Sequence, residues 1–180
     1  ILGLQNENEL IGKGISFCAS CDGNLFKNDE VAVVGGGNTA FEEALYLSNI
    51  CSKVYLIHRS ENYRAENYLI NDLKQKQNVF LMPKEIITKL NTKEGHLESI
   101  ETDKNKYNIK ALFVAIGQVP SIIKIEGLET DNGYIKVNSK METNINGIYA
   151  CGDCIKKDVY QLTTAASDGT VAATSIINRC

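Results

Sequence analysis

Two cysteines separated by two residues, with an acid beside the second, can carry a pair of electrons. Cys18-Ala-Ser-Cys21-Asp22 offers a dithiol that closes to a disulfide and a carboxyl group that can trade its proton. Shortly after it the apolar run Val31-Ala-Val-Val34 enters Gly35-Gly36-Gly37-Asn38-Thr39-Ala40. Glycines at that spacing allow a tight turn and close backbone approach to a dinucleotide pyrophosphate at a helix N-terminus. Read together, the two segments imply electron transfer from a nicotinamide cofactor to a disulfide.

The choice of cofactor is read at the end of the next strand, where an NAD enzyme usually places an acid for the ribose hydroxyls. This chain has His58-Arg59 there and Arg64 further on. Two cations without an acid favour the 2′-phosphate of NADP, each charge-assisted contact being worth roughly 1.5 to 3 kcal/mol. A second pair, Cys151-Gly152-Asp153-Cys154, follows Gly147-Ile-Tyr-Ala150. It suits either contacts to a cofactor's ribityl or pyrophosphate region or a structural turn. The two cysteine pairs could be halves of a zinc site, but they fall in what read as separate domains, so a redox dithiol is favoured and no metal is expected. Cys51 and Cys180 carry no partner signal.

The elements that must position these groups follow from periodicity. Residues 31 to 35 read as a buried parallel strand, and about Asn38 to Asn49 as a helix with Thr39 and Glu42 at capping-box spacing. Its contacts to the sheet are expected from Ala40, Ala44, Leu45, Leu47 and Ser48. Lys53 to His58 is a second strand, and Ala65, Leu69 and Leu73 mark a second helix, completing a βαβ unit. Asn78 to Met82 is a third strand stopped by Pro83. Ile86 to Leu90 and Leu97 to Thr102 flank a turn and form a hairpin or meander, and Ile109 to Ile116 is the last strong strand. Beyond Gly117–Pro120 come short strands (Tyr134 to Val137, Ile148 to Ala150) and a helix from about Leu162 to Ile177. The fold class is therefore α/β: a Rossmann-like NADP-binding domain with a βαβ unit and a β-meander over 1–117. Residues 118–180 belong to a different domain.

Hydrophobic residues at 43% and charged residues at 23% exclude disorder, and a net charge of −3 without a basic tract gives no reason to expect nucleic acid or an anionic membrane as partner. No apolar run reaches the roughly 18 to 20 residues that span a bilayer, and no signal-peptide pattern opens the chain. Six cysteines among 180 residues are too sparse for a secreted disulfide scaffold. A cytoplasmic location is expected. The first residue is Ile1, so the chain reads as a fragment or a processed piece.

These blocks, with Phe113-Val-Ala-Ile116-Gly117, Gln161 and Thr164-Ala-Ala-Ser-Asp-Gly169, resemble the low-molecular-weight thioredoxin reductases, which pass electrons from NADPH through FAD and an internal disulfide to thioredoxin. The resemblance implies that Cys21 faces the flavin, Cys18 attacks the thioredoxin disulfide and Asp22 handles the proton. It implies that Gly35, Gly36, Gly37, Asn38, Thr39, His58, Arg59 and Arg64 hold NADPH, and that Ile116 and Gly117 also bind cofactor. Gly152, Asp153, Gln161, Leu162 and Thr163 would contact FAD, making 118–180 the carboxy-terminal part of the FAD-binding domain. It further implies a homodimer for the full-length protein, and a domain rotation with joints near Ile1–Leu4 and Gly117–Pro120.

Two positions depart from the family pattern: Ser60 replaces a second arginine after the histidine, and Tyr160 stands where a basic residue is common. No second glycine fingerprint occurs, so the amino-terminal FAD segment is read as lacking. Weak or no FAD binding and a poorly ordered or rearranged tail are expected, with the fragment inactive alone. The alternatives are a nicotinamide-binding module without turnover, the flavoprotein subunit of alkyl hydroperoxide reductase, and a relative fed by ferredoxin or flavodoxin-like donors.

Overall fold

The computed structural model describes residues 1–117 and 120–179. They divide into two compact units, Ile1–Gly117 and the chain from 118 onward. In the first, β1 (Ile15–Ser16) leads into α1 (Ala19–Asp22) and a 3₁₀ turn (Gly23–Phe26). There follow β2 (Glu30–Val34), α2 (Asn38–Ser48), β3 (Lys53–His58), α3 (Asn67–Lys74) and β4 (Val79–Pro83). The meander β5 (Ile87–Lys93), β6 (His96–Thr102) and β7 (Lys106–Asn108) comes next, then β8 (Ala111–Val114).

A parallel five-stranded sheet has the order β1-β8-β2-β3-β4, and β5-β6-β7 form a separate antiparallel sheet. The near-continuous apolar run of β2 has a physical reason: both faces of the sheet are covered. Alternate side chains Val31 and Val33 pack with Phe41, Ala44 and Leu47 of α2 and with Leu69 and Leu73 of α3. Their neighbours Ala32 and Val34 pack with Leu90, Leu97 and Ile100 of the meander.

Three local readings differ from expectation. The two-residue β1, too short to show a period, pairs Ile15 with Leu112 and Ser16 with Phe113 of β8. Helix α2 carries no capping box: its N-cap is Gly37 and no side chain caps it, which leaves Thr39 and Glu42 inside the helix. Phe41, absent from the expected contact face, is fully buried. Near the amino terminus, buried Glu7 accepts the amides of Leu2, Gly3 and Leu4 at 2.6, 2.7 and 3.2 Å, which ties down the segment expected to act as a joint. Residues 118 and 119 of the second expected joint lie outside the described residues.

The second unit contains a hairpin, β9 (Thr130–Asp131) with β10 (Tyr134–Ile135), a 3₁₀ turn at Gly152–Cys154, and α4 (Leu162–Ile177). Ile135, Ala150 and Ile155 form its small core. The tail expected to be poorly ordered or rearranged thus has regular elements, with the helix at the residues its sequence marks. Residues 148–150 are not a strand; a single bridge joins Glu142 to Tyr149.

One polar cluster ties the β6–β7 turn of the meander to the segment that leads into β5. Glu85, buried, accepts from Thr102 Oγ1, Asn105 Nδ2 and the Tyr107 hydroxyl, each at 2.8 Å. Burial, then the bond to Glu85, pushes the Tyr107 phenol well above its usual range. Glu85→Ala orphans three donors and is expected to lower unfolding stability by about 3 kcal/mol in urea titrations, whereas Lys89→Ala on the exposed face shifts it by less than about 0.5 kcal/mol.

Candidate functional site

All strands of the large sheet run parallel, so the segments leaving their carboxyl ends share one edge. The cysteine segment leaves β1, the glycine turn leaves β2, His58 ends β3 and is followed by Arg59, and Ala115-Ile116-Gly117 leaves β8. Chain order reverses between β2 and β8, the switch point at which open α/β sheets bind ligands.

Cys18 and Cys21 are joined in a disulfide, with Cα atoms 5.3 Å apart. Cys18 is the N-cap of α1, and its sulfur accepts the Cys21 amide at 3.2 Å. Ser16, buried in β1, orients the neighbourhood: its hydroxyl donates to Asp22 Oδ2 at 2.7 Å and accepts the Cys18 amide at 3.1 Å. Ala19 N–H donates to Glu43 Oε1 at 3.3 Å. Ser16 and Glu43 were missed from sequence. Ser16 lay in a strand too short to recognise, and Glu43 stands beside Glu42 on α2 with nothing in its spacing to mark it.

The glycine turn is held from three sides. The Gly35 amide donates to Ile57 O at 3.0 Å, and a Cβ on Gly35 would sit 2.3 Å from Ala115 O. A Cβ on Gly36 would lie 2.2 Å from the His58 ring, while Gly37 has open space around it. His58 is buried against Tyr63, and burial, reinforced by Arg64 and Arg59, lowers its pKa against an opposing bond at Asn62. The Arg64 amide donates to Gly36 O at 2.7 Å, tying the second cation's backbone to the turn. Asn38 is likewise linked to Glu66, accepting its amide at 2.9 Å. Arg59 and Arg64 are exposed.

In the second unit Gly152, with φ +79°, donates to Asp168 Oδ2 at 3.3 Å. Lys157 pairs with Asp168 at 2.9 Å and with Asp153 at 3.3 Å. Gln161 is the N-cap of α4 in a capping box with Thr164, and Leu162 and Thr163 are exposed. Cys151 and Cys154 are free thiols. Among the described residues no three His, Cys, Asp or Glu side chains are grouped to hold a metal ion. Cys180 lies outside the described residues.

Residues 1–169 match the family model described as pyridine nucleotide-disulphide oxidoreductase. The chain is 44% identical over 187 residues to a thioredoxin reductase of Buchnera aphidicola subsp. Baizongia pistaciae, covering 96% of this chain and 57% of that protein. The thioredoxin reductase structure from Streptococcus pyogenes superposes with a TM-score of 0.89 at 28% identity, covering 99% of this chain and 61% of the other. A ferredoxin-flavin thioredoxin reductase from Clostridium acetobutylicum gives 0.55 at 32% identity, covering 98% and 58%. The chain spans about three fifths of the length of the curated relatives it matches.

Cys51 is a test of how burial silences a thiol. It is buried, donates to Phe26 O at 3.4 Å, and burial, then Asp29, pushes its pKa up to about 11. At pH 8 only about one molecule in a thousand would hold it as thiolate. Iodoacetamide treatment of the native protein followed by peptide mass mapping should label exposed Cys151 and spare Cys51.

Proposed function

The chain belongs to the pyridine nucleotide-disulphide oxidoreductase family, and on that footing we propose that it is the dithiol-bearing part of a thioredoxin-disulfide reductase. Electrons would pass from NADPH, by way of FAD, to Cys18–Cys21 and on to thioredoxin. The observation that carries the reading is the disulfide at the end of β1 in the same sheet whose β2 ends in the glycine turn.

The residues fit a nicotinamide dinucleotide phosphate. The N-terminus of α2 has no side-chain cap and no acid in its first turn, and the space around Gly37 is open, so the backbone there suits a pyrophosphate. Arg59 and Arg64, the latter bound to the turn through its own amide, supply charge for a 2′-phosphate. Ala115, which meets Gly35, leads on to Ile116 and Gly117, which would also border the cofactor. In residues 118–180, Gly152, Asp153 and the start of α4 at Gln161, Leu162 and Thr163 would contact FAD. When bound, FAD supplies the two-electron relay between nicotinamide and disulfide.

Once Cys18–Cys21 is reduced, Cys18 keeps the Cys21 amide as a donor to its sulfur, which favours its thiolate. That thiolate attacks one sulfur of the thioredoxin disulfide; the second thioredoxin sulfur leaves and is protonated. Cys21 then attacks Cys18, closing the internal disulfide and releasing the other thioredoxin thiol. Asp22, held by Ser16, takes and returns the proton. Exposure ranks the sulfurs the other way, with Cys21 open and Cys18 half-buried, so the division of roles rests on the amide. The full-length protein would work as a homodimer in the reducing cytoplasm; no helix among the described residues is long and apolar enough to cross a membrane.

In the FAD-loaded protein, Cys18→Ser should leave bleaching of the flavin by NADPH intact and abolish thioredoxin reduction; surviving turnover contradicts the role given to Cys18. The turn is tested by two glycines. Gly37→Ala should leave the melting temperature within about 2 °C while weakening NADPH binding at least tenfold by calorimetry. Gly35→Ala, driven into Ala115 O, should destabilise the fold by more than about 2 kcal/mol.

A further inference from the structure

Glu43 lies against the dithiol turn and does more than a tether requires. Its Oε1 accepts the amide of Ala19, the buried first residue of α1, directly after Cys18. Its Oε2 is also buried and has no hydrogen-bond partner among the described residues. An amide tether needs one neutral acceptor; a second, unpaired carboxylate oxygen in a dry site is costly. Burial accordingly raises the Glu43 pKa, against the Ala19 amide, which lowers it. The buried second oxygen without a partner is therefore the unexplained feature.

We propose that Glu43 is a positioning residue for the Cys18–Cys21 pair: through the Ala19 amide it fixes the turn, and its buried charge restrains thiolate formation when the disulfide opens. This rests on the redox reading of the pair given above. In reduction by dithiothreitol, two electrons break the Cys18–Cys21 bond, the reductant closes to its cyclic disulfide, and its two protons go to the new thiols. Each thiolate formed afterwards releases a proton to solvent. A neighbouring carboxylate opposes that release, and by linkage the thiolate raises the carboxyl's own pKa. The other titratable groups on α2 and on the helices packed against it are Cys18 at the N-cap of α1, Cys21 and Asp22 on α1, Glu42 and Tyr46 on α2, and Glu66 at the N-cap of α3 with Tyr68, Asp72 and Lys74 on α3. Asp22 is turned to Ser16, the Tyr46 hydroxyl accepts from Asn24, and Glu66 is held by Asn38.

The test compares wild type with Glu43→Gln, which keeps an acceptor for Ala19 and removes the charge. After reduction with dithiothreitol and its removal, iodoacetamide rates at Cys18 and Cys21 are followed against pH by mass spectrometry. The variant's thiol pKa should fall by about one unit, with alkylation at pH 7 about three- to tenfold faster. The two profiles should converge as pH falls and wild-type Glu43 is protonated. Superimposable profiles at all pH values would overturn the proposal and leave Glu43 a tether. Should the variant not fold, ¹³C NMR of the Glu43 carboxyl in reduced wild type decides: its signal must show a second inflection at the pH where the thiols ionise, absent from the disulfide form, and a single inflection overturns the proposal. The same second inflection should persist in Asp22→Asn, and its loss there would overturn the proposal by assigning the coupling to Asp22. A pair that dithiothreitol cannot open would contradict both this inference and the proposed function; a pair that opens with an unshifted profile contradicts this inference alone.

Discussion

Strand β8 is hydrogen-bonded on both sides, to β1 through Ile15–Leu112 and Ser16–Phe113 and to β2 through four residue pairs from Val31–Ala111 to Val34–Val114. That double pairing is what the remainder of the site depends on. It sets β1 parallel to β2, so the cysteine turn and the glycine turn leave the sheet at the same edge. It also brings Ala115 O against Gly35, where only a residue without a Cβ fits. Phe113 of β8 meets Phe26 edge-on, with ring centroids 6.0 Å apart, so the chain leaving the dithiol is anchored to the same strand.

Elements with a repeating pattern were legible in the sequence, and those specified by a few tertiary contacts were not. β2, α2, β3, α3 and the meander follow from apolar spacing because their side chains are buried on defined faces. β1 has two residues and no period; its pairing partner lies nearly a hundred positions away in the chain. The capping box at Thr39 and Glu42 failed because the helix begins one residue after a glycine whose value is its emptiness. Ser residues and acids at the right spacing elsewhere gave no hint of Ser16 or Glu43. Ser16 acts through hydrogen bonds to Asp22 and from the Cys18 amide, and Glu43 through the Ala19 amide of another element, contacts that no apolar period records.

The glycine turn shows how a short motif is made specific by its surroundings. Gly35 is required by Ala115 and Gly36 by the His58 ring, while the space around Gly37 is open to the ligand proposed above. His58 therefore packs by shape against Gly36 and Tyr63, and in the proposed reading charge toward a phosphate comes from Arg59 and Arg64. Ser60 removes the third cation of the family pattern, yet the 2.7 Å bond from the Arg64 amide to Gly36 keeps the second cation's backbone fixed to the turn. Main-chain anchoring of this kind leaves no trace in composition.

The central claim is that the unit holding the disulfide also binds NADPH through the turn and its two arginines. Calorimetric titration of this chain with NADPH and with NADH at low and high salt tests it directly. The account predicts binding of NADPH, at least about tenfold weaker binding of NADH, and a gap that narrows as salt screens the phosphate contacts. No binding of either nucleotide, or equal and salt-insensitive affinities, would contradict it.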